Sequence, residues 1–77
     1  MTIQEIQKRV DEIAEFVKTT RPAYASEVAH EMEDDLRADF LAYVRDNPIA
    51  AYNDAELGAK AALVLSTSEI KFHRWYA

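Results

Sequence analysis

The chain has no cysteine, a single glycine (Gly58) and only two prolines (Pro22 and Pro48). Without cysteine there is no disulfide framework, no thiolate zinc site and no cysteine nucleophile. That absence favours a reducing, cytoplasmic setting. One glycine cannot build a phosphate-cradling loop. Long apolar runs are missing too: the longest, Ala61 to Leu65, is far too short to span a bilayer. No signal peptide and no membrane association are expected. Bases are scarce, nine Lys and Arg against fourteen Asp and Glu, for a formal charge of −5. Such a balance argues against direct binding to nucleic acid. A length of 77 residues supports one small domain, residues 1–77.

What the chain does have is acid in one place. Glu27, Glu31, Glu33, Asp34, Asp35 and Asp39 fall in a stretch of thirteen residues whose one base is Arg37, a local sum of −5. Elsewhere the charges cancel. Charge concentrated in this way marks a face rather than a general solubility device.

Three amphipathic segments predict an all-α fold, a three-helix bundle with an aromatic C-terminal tail packed on it. The first helix is expected over about 3–18. Ile3, Ile6, Val10, Ile13 and Val17 alternate three- and four-residue steps, the rhythm of a narrow stripe laid on another helix. Thr2 and Glu5 have capping-box spacing, and Glu5/Arg9 the spacing of a helical ion pair. Pro22 then interrupts the helix.

The second helix is expected over about 26–45, starting near Ser26 or up to three residues earlier. Val28, Met32, Leu36, Phe40 and Val44 form an apolar row at four-residue spacing. Glu27, Glu31, Asp35 and Asp39 form a second row one residue behind it, roughly 100° around the helix. The acids are thus expected to flank the buried stripe. Asn47-Pro48 ends this helix, and 49–52 reads as a connector. A third helix is expected over about 54–66, capped by Asn53 with Glu56 at the third position. Gly58 inside it suggests a close helix–helix approach.

Residues 67–77 carry Phe72, Trp75 and Tyr76, which a solvated tail would not. The tail is expected to dock across the helices with Phe72 and Trp75 buried. Arg74 would then pair with Glu33 or Asp34. A homodimer seamed along the first helix is the competing way to complete the core.

Three site chemistries follow. His30-Glu31-Met32-Glu33-Asp34 is a broken H-E-x-x-H pattern, too short of ligands for zinc. Glu12/Glu15 and Glu31/Asp34 are two i,i+3 carboxylate pairs that two adjacent helices can converge on Mg²⁺. Their spacing resembles the E-x-x-E … E-x-x-D signature of the all-α nucleoside triphosphate pyrophosphohydrolases, the MazG-like and dimeric dUTPase families. That resemblance implies a magnesium-dependent enzyme using Glu12, Glu15, Glu31 and Asp34, and it covers those four residues alone. The remaining reading needs no cofactor. Glu27, Glu31, Asp34, Asp35 and Asp39 form an acidic face for a basic protein surface, or a mimic of nucleic-acid phosphates with carboxylates about 6 Å apart.

Residues 30–36, with the tail Thr67-Ser-Glu-Ile-Lys-Phe-His-Arg-Trp-Tyr-Ala77, carry an H-x-x-E-D-x-L helix and an R-W-Y-A end. They resemble small proteins of bacterial prophages and other mobile elements with an R-W-[YC]-A tail. The resemblance spans roughly 29–77 and implies a mobile-element origin without an assigned activity. It favours a non-enzymatic, host-directed interaction protein, with Glu33, Asp34, Arg74 and Trp75 as a tail-docking network.

Overall fold

The computed structural model describes residues 1–74, and these are all-α. Helix α1 spans Ile3–Thr19, α2 Pro22–Asp46, α3 Pro48–Tyr52 and α4 Leu57–Leu65, followed by a 3₁₀ turn at Ser66–Glu69. Among the described residues there are four α-helices where three were expected. Trp75, one of the two tail aromatics expected to be buried, lies outside the described residues, as does Tyr76.

Helix α1 begins where its capping box puts it. The Glu5 amide donates to Thr2 Oγ1 at 3.1 Å, and the Thr2 amide donates to Glu5 Oε2 at 3.3 Å. Two orphan amides are satisfied reciprocally. Ile6, Val10 and Ile13 are buried, with Val17 packed partly against them. They face α2 and α4 within the same chain. Ile6, Val10 and Ile13 are thus covered inside the protomer, while Ile3 and Val17 at the ends of the stripe are half-buried. Arg9 turns away from Glu5 and pairs with Asp39 of α2 at 2.8 Å.

Both prolines start helices. Each sits in the first turn, where its missing amide would have no partner and its fixed φ already suits a helix. Helix α2 therefore starts at Pro22, four residues before Ser26. The stretch 49–52, expected as a connector, is most of the single-turn helix α3. Past it, Asn53 does not cap α4: its Nδ2 donates back to the Ile49 carbonyl at 3.1 Å. Asp54 stands ahead of the helix, accepting the Glu56 amide at 2.8 Å and pairing with Lys60, and Glu56 at the N-cap makes no side-chain cap. An aspartate that binds the amide two residues on is an Asx turn, which starts α4 at Leu57 rather than 54. The Lys60 hydrogen bond, then the Glu56 amide, hold the Asp54 carboxyl below its usual range; Asp54 in turn holds the Lys60 ammonium above its own.

Gly58 does not mark a close approach. A Cβ built there meets nothing within 4 Å, and no glycine has positive φ. Its flexibility only adds entropy to the unfolded chain. Gly58→Ala is expected to stabilise by about 0.5 kcal/mol, a gain of about 2–4 °C in thermal melting followed by circular dichroism. A lower melting temperature would contradict the open surroundings.

The core of α2 keeps Leu36 and Phe40 of the expected row and adds positions beside it. Ala25, Ala29, Leu36 and Phe40 are buried, whereas Val28, Met32 and Val44 are only half-buried. Four residues turn a helix by about 400°, so a four-spaced row drifts by roughly 40° per step and leaves the core at its ends. Between Ala29 and Leu36 the position facing inward belongs to Glu33, which is 1% exposed. A carboxylate stands in the core.

Candidate functional site: the two sides of α2

Glu33 is held by groups far away in the sequence. Arg74 Nε donates to one carboxylate oxygen at 3.1 Å and Nη2 to the other at 2.9 Å. Nη2 also donates to the Thr67 carbonyl at 2.8 Å, and the guanidinium lies 3.7 Å over the Phe72 ring. Two-pronged geometry of this kind is the strong form of a charge-assisted hydrogen bond. Arg37, one turn along α2, is a poorer partner. Its Nη2 lies 3.6 Å from Glu33 and donates to Thr67 Oγ1 at 3.3 Å, while its buried Nε has no acceptor among the described residues. Burial pushes the Glu33 carboxyl up. The Arg74 and Thr67 hydrogen bonds and the charges of Arg37 and Arg74 outweigh it, leaving the group below its ordinary 4.5.

Segment 70–74 reaches Glu33 along the base of α2. Ile70 leaves the 3₁₀ turn with extended backbone, Phe72 packs half-buried against the core, and the His73 amide donates to buried Ser26 Oγ at 3.3 Å. Of the residues expected to form the docking network, Glu33 and Arg74 meet. Asp34 instead faces His30, 3.4 Å from its Nε2. Trp75 is outside the described residues.

The other side of α2 carries Glu27, Glu31, Asp34, Asp35 and Asp39, all exposed. Asp39 is engaged by Arg9. Among the described residues, Glu27, Glu31 and Asp35 have no ion-pair partner. They repeat every fourth residue, about 6 Å apart along the axis. Tyr24, 64% exposed, precedes Glu27 by three residues. The four side chains fall within an arc of roughly 80°. Glu27 and Glu31 lie away from the core, whereas Asp35, beside α1, and Asp39, paired with Arg9, stand at its flank as expected.

The carboxylates considered for magnesium are also placed. Glu12 lines a cleft between α1 and α2 with Arg9, Ile13, Met32 and Asp35; Glu15, Glu31 and Asp34 are not part of it. Among the described residues no three His, Asp or Glu side chains gather as a metal would need. Glu12, Glu15, Glu31 and Asp34 form no such group among them. His30 and Asp34 form a pair, with no third His, Asp or Glu gathered beside them among the described residues. Among the described residues, no helix is long and apolar enough to cross a membrane.

Compared with models of known families, with curated proteins and with solved structures, the chain matches none. The reading of function therefore rests on the side chains themselves.

Three functional contacts were not visible in the sequence: Thr67 as a partner of the clasp, Ser26 as the acceptor for the His73 amide, and Asp39 as the partner of Arg9. A signal existed for the first site alone. Glu33 stands at core spacing between Ala29 and Leu36, and Arg37 follows at i+4.

Proposed function

We propose that the protein is a small non-enzymatic interaction module that presents the outer face of α2 to a basic surface on a partner protein. The observation carrying this reading is selective pairing. Glu33 and Asp39 are taken up by arginines of the same chain, whereas Glu27, Glu31 and Asp35, on three successive turns, have no ion-pair partner among the described residues. Exposed carboxylates at a regular pitch attract a basic surface, raising association rate and specificity. Tyr24 adds an aromatic of the type that anchors interfaces. The same pitch would also suit a mimic of nucleic-acid phosphates, in which case the basic surface is a nucleic-acid-binding groove.

Affinity capture from host extract tests it, comparing the wild type with Glu27→Gln/Glu31→Gln/Asp35→Asn. Asp39 is left in place because Arg9 uses it. Three exposed charges at about 0.5 kcal/mol each predict roughly tenfold weaker retention of the partner. Identical partner sets, equally resistant to salt, would sink the proposal.

A further inference from the structure

The chain exposes most of its apolar surface where its charge is least. Among the described residues five large apolar side chains are exposed, and Leu41, Ile49, Tyr52 and Leu65 are four of them. The stretch 40–65 that holds them has five charged residues. Arg45 pairs with Asp46 and Lys60 with Asp54, which leaves Glu56.

Helix α4 shows the imbalance most clearly. Its one charged residue, Lys60, is buried against Asp54. Its outward positions, Gly58, Ala59, Ala62 and Leu65, are exposed and carry no polar group. A helix that is apolar all round belongs in an interior rather than on a surface. Beside it, between α2 and α4, runs a groove of about 220 Å³ lined by Phe40, Ala61 and Val64. Leu41, 67% exposed, and Leu65, 60% exposed, line it from the two helices. At about 100° per residue, Ala61, Leu65, Gly58 and Ala62 follow one another around α4, so groove and outward face form one surface. Arg37 also lines the groove, and Glu33 answers its charge within the protomer.

We propose that this α2/α4 face is where two copies of the chain meet, each setting Leu41 or Leu65 into the other's groove. Two observations select a second copy. Knob and hole lie on one patch, as a two-fold contact requires, because such a surface must complement itself. A chain of charge −5 also repels its own copy at the acidic row but meets little charge here. A basic partner, by contrast, finds nothing on this face to pair with. The face does not include Glu27, Glu31 or Asp35, so it can fail independently of the function proposed above. About nine residues a side make it up, against roughly 20–30 in a standard interface, so the contact belongs to the small, weakly bound class. A dissociation constant on the order of 100 µM is expected. At micromolar dilution the chain is then a monomer in which Leu41 is only exposed.

Sedimentation equilibrium of the full chain, from about 5 µM to about 1 mM, reads the association. The weight-average mass should climb from 8.8 kDa to more than one and a half times that value. Leu65→Glu and Ala62→Glu place a like charge on both copies at exposed positions and should hold the mass near 8.8 kDa throughout, with helical circular dichroism unchanged. Glu27→Gln/Glu31→Gln/Asp35→Asn should dimerise at least as well as the wild type. Salt at about 1 M should strengthen the dimer by screening two like-charged protomers, the opposite of its effect on the acidic face. A wild type that stays at 8.8 kDa at the highest concentration would overturn the proposal. So would a dimer that both glutamate variants keep, or one that salt dissolves or the triple variant abolishes, since each places the contact elsewhere.

Discussion

Arg74→Ala should lower stability by about 3 kcal/mol, the lower end of what breaking a buried ion pair from one side costs. The lower end applies because Arg37 remains 3.6 Å from Glu33 and supplies part of the lost charge. It cannot supply the geometry, since its Nη2 is committed to Thr67 and its buried Nε has no acceptor among the described residues. A domain of 77 residues has a total stability of roughly 4–12 kcal/mol. At about 4–8 °C per kcal/mol, the melting temperature should fall by roughly 10–20 °C. The asymmetry of buried pairs supplies the control. Glu33→Leu in the same background removes the stranded carboxylate and should recover most of the loss. An Arg74→Ala protein melting within about 2 °C of the wild type would show that the clasp contributes nothing.

Acid should reach the same pair. The Glu33 carboxyl is lower in the folded chain than its ordinary 4.5, so between those two values the unfolded chain binds more protons. Stability then rises with pH across that window. It is fully present above the ordinary value and is lost as pH falls through the depressed one. Glu33→Gln should flatten this part of the acid limb, leaving the contribution of Asp54, whose carboxyl is also held low.

The second large effect belongs to Leu36→Ala. Leu36 is fully buried in the cluster formed with Ile6, Val10, Ile13 and Phe40. Truncating it should cost about 3 kcal/mol, transfer loss plus cavity. Leu41, five residues on and 67% exposed, is the matched control. Leu41→Ala should stay within about 0.5 kcal/mol of the wild type. Urea midpoints at unchanged m-value separate the two. Comparable losses at both sites would mean that the exposed Leu41 side belongs to an interface.

These predictions also mark where the amino-acid pattern could be followed and where it could not. Helix α1 was legible to within a residue, because its stripe and capping box are local and agree. The middle of α2 was legible for the same reason. Its start was not: Pro22 is a stop for the residue before it and a good first residue for the helix after it. Pro48 repeats the ambiguity and concealed α3. The start of α4 was misplaced because Asn53 bonds back to Ile49 and Asp54 makes an Asx turn ahead of the helix, and only the fold shows Asp54 tied to Lys60. Glu33 could not be sorted from the other acids. What distinguishes it is an arginine 41 residues away, a separation over which no helical periodicity carries information.

The pitch of the outer acidic row has one consequence more. Its carboxylates stand about 6 Å apart, whereas the Debye length at physiological ionic strength is about 8 Å. Each charge lies within the ion atmosphere of the next, so an approaching surface meets a short line of charge rather than three points. In 1 M salt the Debye length contracts to about 3 Å, and the line breaks into separate charges. Register between partners would then matter at the ionic strength of a cell and vanish in a high-salt wash.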